Sequence, residues 1–175
     1  NYNTKTFNIK GNAELTSSII EIPSLNYKKN NKKKSEIIFN IKSILDKKHI
    51  LKNLTFLENK TKIFLSNVEL NKFLKVEDFS KINIKTFLND IKNNDFIAEK
   101  NNIIKTYGKV FDAQPLLQSL YKKNSKKIFS KDFKSKIKIN FDKTLTGIGD
   151  DVSNFAMIAD INKGSFNKLN LKGNF

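Results

Sequence analysis

The sequence predicts an all-β chain: an elongated, curved antiparallel β-sheet forming an open groove of repeated β units, with one short helix near 113–121. Three observations predict it. Apolar and polar residues alternate along most of the chain, turns rich in Asn, Lys, Gly and Asp punctuate the alternation, and one segment alone breaks into helical spacing.

Alternation marks strands at Thr6 to Lys10, Ile19 to Ile22, Ile37 to Lys42, Lys62 to Leu65, Ile82 to Lys85, Lys136 to Phe141 and Lys168 to Lys172. Successive side chains on a strand point to opposite sides, so each run has one apolar face. Turns fall at Lys29-Asn30-Asn31-Lys32, at Glu58-Asn59-Lys60 and at Asn162-Lys163-Gly164, the last joining two alternating runs within 150–175. Pro23, which lacks a backbone donor, is expected at a strand edge or bulge, whereas Pro115 suits a first helical turn. Apolar residues at 113, 116, 117, 120 and 121 have helical spacing, and Asp112 stands where an N-cap would. A Lys/Ser-rich link follows from Lys122 to Phe133. Blocks 36–70 and 136–175 share an order of strands around an apolar-x-Asn-apolar segment, Leu51-Lys52-Asn53-Leu54 in one and Val152-Ser153-Asn154-Phe155 in the other.

Composition narrows the function. With 38% hydrophobic residues, a mean hydropathy of -0.48 and 15 Phe, the apolar content lies in large side chains spread thinly, which suits two-faced strands. The net charge of +16 comes from Lys alone, because the chain has no Arg. Without the planar fork that grips phosphate and guanine, nucleic acid is not an expected partner, and the runs Lys28 to Lys34 and Lys122 to Lys127 serve to solubilise loops and discourage edge pairing. Anionic lipid head groups, which need only point charges, suit them better. Absence of Cys removes disulfides, thiolate metal sites and Cys nucleophiles. No apolar run approaches the ~20 residues of a membrane span. The chain begins at Asn1 and reads as an interior piece of a longer protein.

The search for chemistry yields little. His49, beside Lys47 and Lys48, reads as a solvated loop residue with no base or nucleophile partner, and no G-x-S-x-G occurs. Asp150-Asp151 lacks the spaced carboxylates of a Ca²⁺ loop and reads as a turn before a strand. Gly147-Ile148-Gly149 lacks the remainder of a phosphate loop. The chain is therefore not expected to be an enzyme or to hold a metal or cofactor. What remains is the apolar faces themselves: Ile37, Phe39 and Ile41; Ile137, Ile139 and Phe141; Phe155, Met157, Ala159 and Ile161; Leu169 and Leu171. A helix of ten or so residues is too short to cover them, so they either close on one another as a core or stay open to an apolar ligand.

Residues 107–175 carry a resemblance. Tyr107-Gly108-Lys109-Val110-Phe111-Asp112-Ala113-Gln114-Pro115-Leu116-Leu117, then Val152-Ser153-Asn154-Phe155 and Gly164 to Phe175, resemble the central region of large bacterial AsmA-like proteins of the YhdP/TamB type. The resemblance divides the chain into a β-repeat segment, 1–106, and an AsmA-like β unit with a short helix, 107–175, both within one continuous elongated domain. It implies a periplasmic bridge, anchored in the inner membrane through a region outside this sequence, whose groove passes phospholipid or another long-chain lipid passively between inner and outer membranes. The alternative is a structural β-sandwich or solenoid interaction module of an envelope or surface protein, with no ligand.

Overall fold

The computed structural model describes residues 5–45, 47–121, 132–147 and 149–175. The described residues are 69% strand and 6% helical: among them stand one large, curved, mostly antiparallel sheet, one α-helix and no closed barrel.

The chain enters as β1 (Thr6–Glu14) and leaves the sheet for an insertion made of β2 (Ile20–Ile22), a 3₁₀ turn (Pro23–Leu25) and β3 (Tyr27–Lys29). It returns as β4 (Ser35–Ile44), and continues through β5 (Lys48–Glu58), β6 (Thr61–Asn71), the short β7 (Val76–Asp78), β8 (Lys81–Leu88), β9 (Ile91–Lys100) and β10 (Ile104–Asp112). Helix α1 (Gln114–Tyr121) follows, then β11 (Ser135–Leu145), β12 (Val152–Asn162) and β13 (Ser165–Asn174). Spatial order is β1-β4-β5-β6-β8-β9-β10-β11-β12-β13, with β7 beside β6, while β2 and β3 pair only with each other. The blocks 36–70 and 136–175 are each a three-stranded antiparallel meander, β4-β5-β6 and β11-β12-β13. The division at 106/107 falls inside β10, which pairs with β9 on one side and β11 on the other.

One expectation needs correcting, at Pro23, and two others gain detail. The sheet is mostly antiparallel, as expected, with one parallel step, β10 beside β11, Ile104 opposite Ile137. A hairpin cannot join parallel neighbours, so the segment containing α1 carries the chain back along the sheet before β11 begins. The strand expected at Ile19 to Ile22 forms as Ile20–Ile22, and it pairs with β3 in a separate ribbon. Pro23 opens the 3₁₀ turn, where its fixed φ and missing donor are harmless, rather than an edge or bulge. The helix stands as expected, and the Asp112 carboxylate accepts the Gln114 N–H at 3.0 Å. Residues 122–131 of the Lys/Ser-rich link lie outside the described residues.

The apolar-x-Asn-apolar segments are sites of bulging. Register shifts by one between β4 and β5 at Asn40/Ile41 and between β12 and β13 at Ser153/Ala156. Asn67 in Leu65-Ser66-Asn67-Val68 and Asn154 in Val152-Ser153-Asn154-Phe155 adopt positive φ, which Asn tolerates better than most residues. An extra residue lets apolar side chains three apart share a face, and it bends the strand. Gly108 lies beside another register shift, and a β-carbon there would collide with the Asp95 carbonyl and with Phe96. Gly108→Val should therefore cost about 1–3 kcal/mol through overpacking. Urea unfolding checks this as a lower midpoint at unchanged slope.

Candidate functional site

Cross-strand partners point to the same side of a sheet, so register determines which residues share a face. One row runs Ala13, Ile37, Phe56, Ile63, Ile84, Phe96, Gly108, Phe141, Phe155. The next runs from β1 to β13: Gly11, Phe39, Leu54, Leu65, Ile82, Ala98, Thr106, Ile139, Met157, Leu171. A third row is interrupted, with Ile9, Ile41, Leu51 and Val68 at one flank and Ile104, Ile137, Ala159 and Leu169 at the other. Ile161, opposite Phe166, extends the same side of β12. Every apolar candidate named from the sequence thus stands on one face.

They differ in cover. Ile37, Phe39, Ile41, Ile139, Phe155 and Met157 are half-buried, and Leu169 and Leu171 are exposed. Ile137, Phe141, Ala159 and Ile161 are buried, Ile161 completely. The cover comes from the chain itself. Over β5, β6 and β8, Tyr27 packs into a cluster with Phe56, Ile63 and Ile84, ringed by Leu15, Ile20, Ile22 and Leu25. The Tyr27 and Phe56 rings meet edge to face, with centroids 6.0 Å apart. Farther along, Phe133 packs on Ile137, Ala159 and Ile161, and Phe96, Phe111 and Phe141 form an aromatic group between the two clusters. The helix is indeed too short to cover the face; residues 15–29 do most of what it cannot.

Beside the first apolar row runs a belt of buried polar residues: Ser35, Glu58, Thr61, Thr86, Asn93, Asn94, Asp112 and Thr144. The insertion is hydrogen-bonded to it. The Leu25 carbonyl accepts from the side-chain amides of Asn94 at 2.9 Å and Asn93 at 3.1 Å. Asn94 also donates to Thr86 Oγ1 and accepts the Asp112 N–H, each at 3.0 Å. Asn26, in the left-handed region at φ 48°, donates to the Asp112 carboxylate at 3.0 Å. One carboxylate therefore holds both the turn of the insertion and the first N–H of α1. At the two ends of the belt, Ser35 Oγ and Thr144 Oγ1 have no hydrogen-bond partner among the described residues.

Two further groups seat the insertion. The Tyr27 hydroxyl donates to Glu58 at 2.8 Å. Burial, with the bond and charge of Glu58, holds its pKa above the ordinary tyrosine range. Lys29 is fully buried, its ammonium donating to the carbonyls of Ser18 at 2.7 Å, Asn30 at 3.1 Å and Thr16 at 3.2 Å. The opposite face of the sheet carries ion pairs such as Lys81–Glu99 and Lys92–Asp95. There Lys81 lowers the pKa of Glu99 and is raised in return.

His49 is not in a loop: it lies half-buried in β5, its Nδ1 2.9 Å from Ser43 Oγ, because the alternation of β5 starts at Lys48. Asp151 does stand in the turn before β12, paired with Lys143 at 2.9 Å. Among the described residues no cluster of three acidic or histidine side chains is placed to hold a metal, and no helix is long and apolar enough to cross a membrane. A cleft of about 830 Å³ at the polar end is lined by carboxylates and ammonium groups alike, among them Glu14, Lys33, Glu36, Glu58 and Asp90. The polar belt was missed from sequence because Asn93-Asn94-Asp95 resembles a turn. Its signal is the apolar run Phe96-Ile97-Ala98 that follows at once. Comparison with protein-family models, curated proteins and solved structures finds no match to this chain. The class of protein is thus defined by its architecture: an open curved sheet with an internally anchored cover on its apolar face.

Asn94→Ala should remove about 1–3 kcal/mol by leaving the Leu25 carbonyl and Thr86 underbonded. Hydrogen exchange should then accelerate in residues 20–29 before the main sheet. Because the folded-state pKa of Tyr27 is raised above 10.0, the stability its neutral phenol confers is complete below pH 10 and is lost as pH rises beyond it. The urea midpoint of the unmodified protein should consequently fall above pH 10 more steeply than that of Tyr27→Phe.

Proposed function

We propose that the sheet is one section of a passive lipid path, holding a phospholipid or another long-chain lipid along its apolar rows. The observation that carries this reading is the second row, which runs from Gly11 on β1 to Leu171 on β13 with Thr106 as its one polar side chain. It crosses the sheet at right angles to the strands, and apolar side chains stand exposed on both edge strands, Phe7 and Ile9 on β1 and Leu169 and Leu171 on β13. Ten strands at ~4.8 Å give a row on the order of 40 Å long.

Moving a chain of ~16 carbons through water costs on the order of 12 kcal/mol at about 0.8 kcal/mol per methylene. An apolar row removes most of that barrier and requires no nucleophile, metal or cofactor. In this reading the lipid rests on the half-buried flanks, around Phe39 on one side and Phe155 and Met157 on the other. Passage across β5 to β9 requires the Tyr27 insertion to rise. The wider setting follows the AsmA-like resemblance: a periplasmic section of an inner-membrane-anchored bridge to the outer membrane.

A second reading, a ligand-free structural or interaction module, is favoured by the depth of the self-cover, with Ile161 wholly enclosed. Photo-crosslinkers at Phe39, Ile139 and Phe155, with Lys85 and Lys138 as controls on the other face, separate the two in the presence of phospholipid vesicles. Capture of lipid at the three apolar positions and not at the controls is the expected outcome. Equal or absent capture would leave the structural module as the function.

A further inference from the structure

We infer that the outer edge of β13 is an acceptor for a β-strand of the kind that β4 presents to β1, carried by a further unit of the same design. The first observation is in the sequence. Phe7-Asn8-Ile9-Lys10-Gly11-Asn12-Ala13 in β1 and Leu169-Asn170-Leu171-Lys172-Gly173-Asn174-Phe175 at β13 have one pattern: apolar-Asn-apolar-Lys-Gly-Asn-apolar. Asn, Lys, Gly and Asn coincide at corresponding positions.

The second observation is topological. Between β1 and β13 every neighbouring pair on the path is antiparallel except β10 and β11. That single parallel step leaves an even number of reversals, so β13 runs in the same direction as β1. Were the sheet wholly antiparallel, the repeated pattern would run the opposite way. The faces agree too, since Ile9 and Gly11 stand on the same side as Leu169 and Leu171. Two strands with the same direction, face and pattern have their corresponding edges on the same lateral side of the sheet. The edge that β1 gives to β4 is therefore the edge that β13 leaves open among the described residues.

The third observation concerns backbone groups. Beside β1, the Leu15 N–H donates to the Ser35 carbonyl at 2.8 Å, and the Lys5 carbonyl accepts from the Leu45 N–H at 3.1 Å. Alternate residues turn their backbone groups to opposite sides, so the odd-numbered residues of β1 serve β4. Their counterparts on the open edge are Leu169, Leu171, Gly173 and Phe175. The row that starts at Gly11 reaches β13 at Leu171, one pleat short of Gly173. The next unit is thus staggered by two residues, which keeps the apolar face in step where an odd shift would invert it. The occupant defined by this edge is an antiparallel strand alternating as Ile37-Ile38-Phe39-Asn40-Ile41 does, with its apolar side chains extending the rows. The inference does not depend on the lipid reading.

A synthetic peptide of the β4 sequence, Lys33 to Leu45, with benzoylphenylalanine in place of Phe39, tests it against the whole 175-residue chain. Crosslinks should concentrate on residues 169–175. Methylating the peptide nitrogen at Phe39, which faces the acceptor, should reduce capture roughly tenfold, while methylation at Ile38, which faces away, should not. In the protein, Leu171→Pro should abolish capture, since it removes an N–H turned to the open edge and none turned to β12. Because the peptide modifications leave the protein untouched, they remain decisive if that variant folds poorly. Crosslinks confined to the vicinity of Gly11, crosslinks spread across the sheet, no crosslinks, or capture indifferent to methylation at Phe39 would each overturn the inference.

Discussion

The carbonyl of Leu25 and the carboxylate of Asp112 hold the structure in the form described. A sheet of this width exposes one apolar face; the insertion that lies against it and the helix that follows β10 come from chain segments far apart in sequence. Both are tied at the same point. Asn93 and Asn94, at the bulge of β9, reach Leu25 and Asp112, and Asp112 reaches Asn26 and the start of α1. Asn93, Asn94 and Asp112 are buried, and an unsatisfied polar group in the interior carries a full desolvation penalty. The network thus specifies one seating for the insertion, where apolar contact alone would allow several.

That constraint also explains the division of labour across the face. Polar side chains gather at one end of the strands, where backbone of the insertion needs partners. Apolar rows occupy the middle, where only packing is required. The Lys-rich charge lies elsewhere, on loops and on the opposite face, paired in part with Glu and Asp across strands. Lys29 is the exception, and it shows the rule: an ammonium is accepted in the interior because three carbonyls surround it.

Much of the sheet could be read in the sequence because alternation has a period of two, and a strand's face follows from it directly. Hence Ile37, Phe39, Ile41, Ile137, Ile139, Phe141, Phe155, Met157, Leu169 and Leu171 emerge on one side. Alternation says nothing about partners, however. Ile19 to Ile22 alternates as well as any strand, yet pairs only with β3, and the parallel step after α1 leaves no mark in β10 or β11. The apolar-x-Asn-apolar segments were visible as a repeat, but their meaning as bulges depended on register. Burial was least legible of all. Ile161 and Leu171 read alike, and they differ in the structure because Phe133 and its neighbours cover one and nothing described covers the other.

Strand order in space nearly retraces strand order in the chain, and this bears on how the protein folds. Most pairings join consecutive segments through tight turns, so loop-closure entropy is small at each step. The two longest closures are that of β1 on β4 around the insertion and that of β11 on β10 through the crossover. A sheet of this kind grows by accretion, each strand gaining from its immediate neighbours, as in a linear array. Cooperativity then resides where the insertion bridges several strands at once. The lateral margins, outside that clasp, are free to open and close without melting the centre.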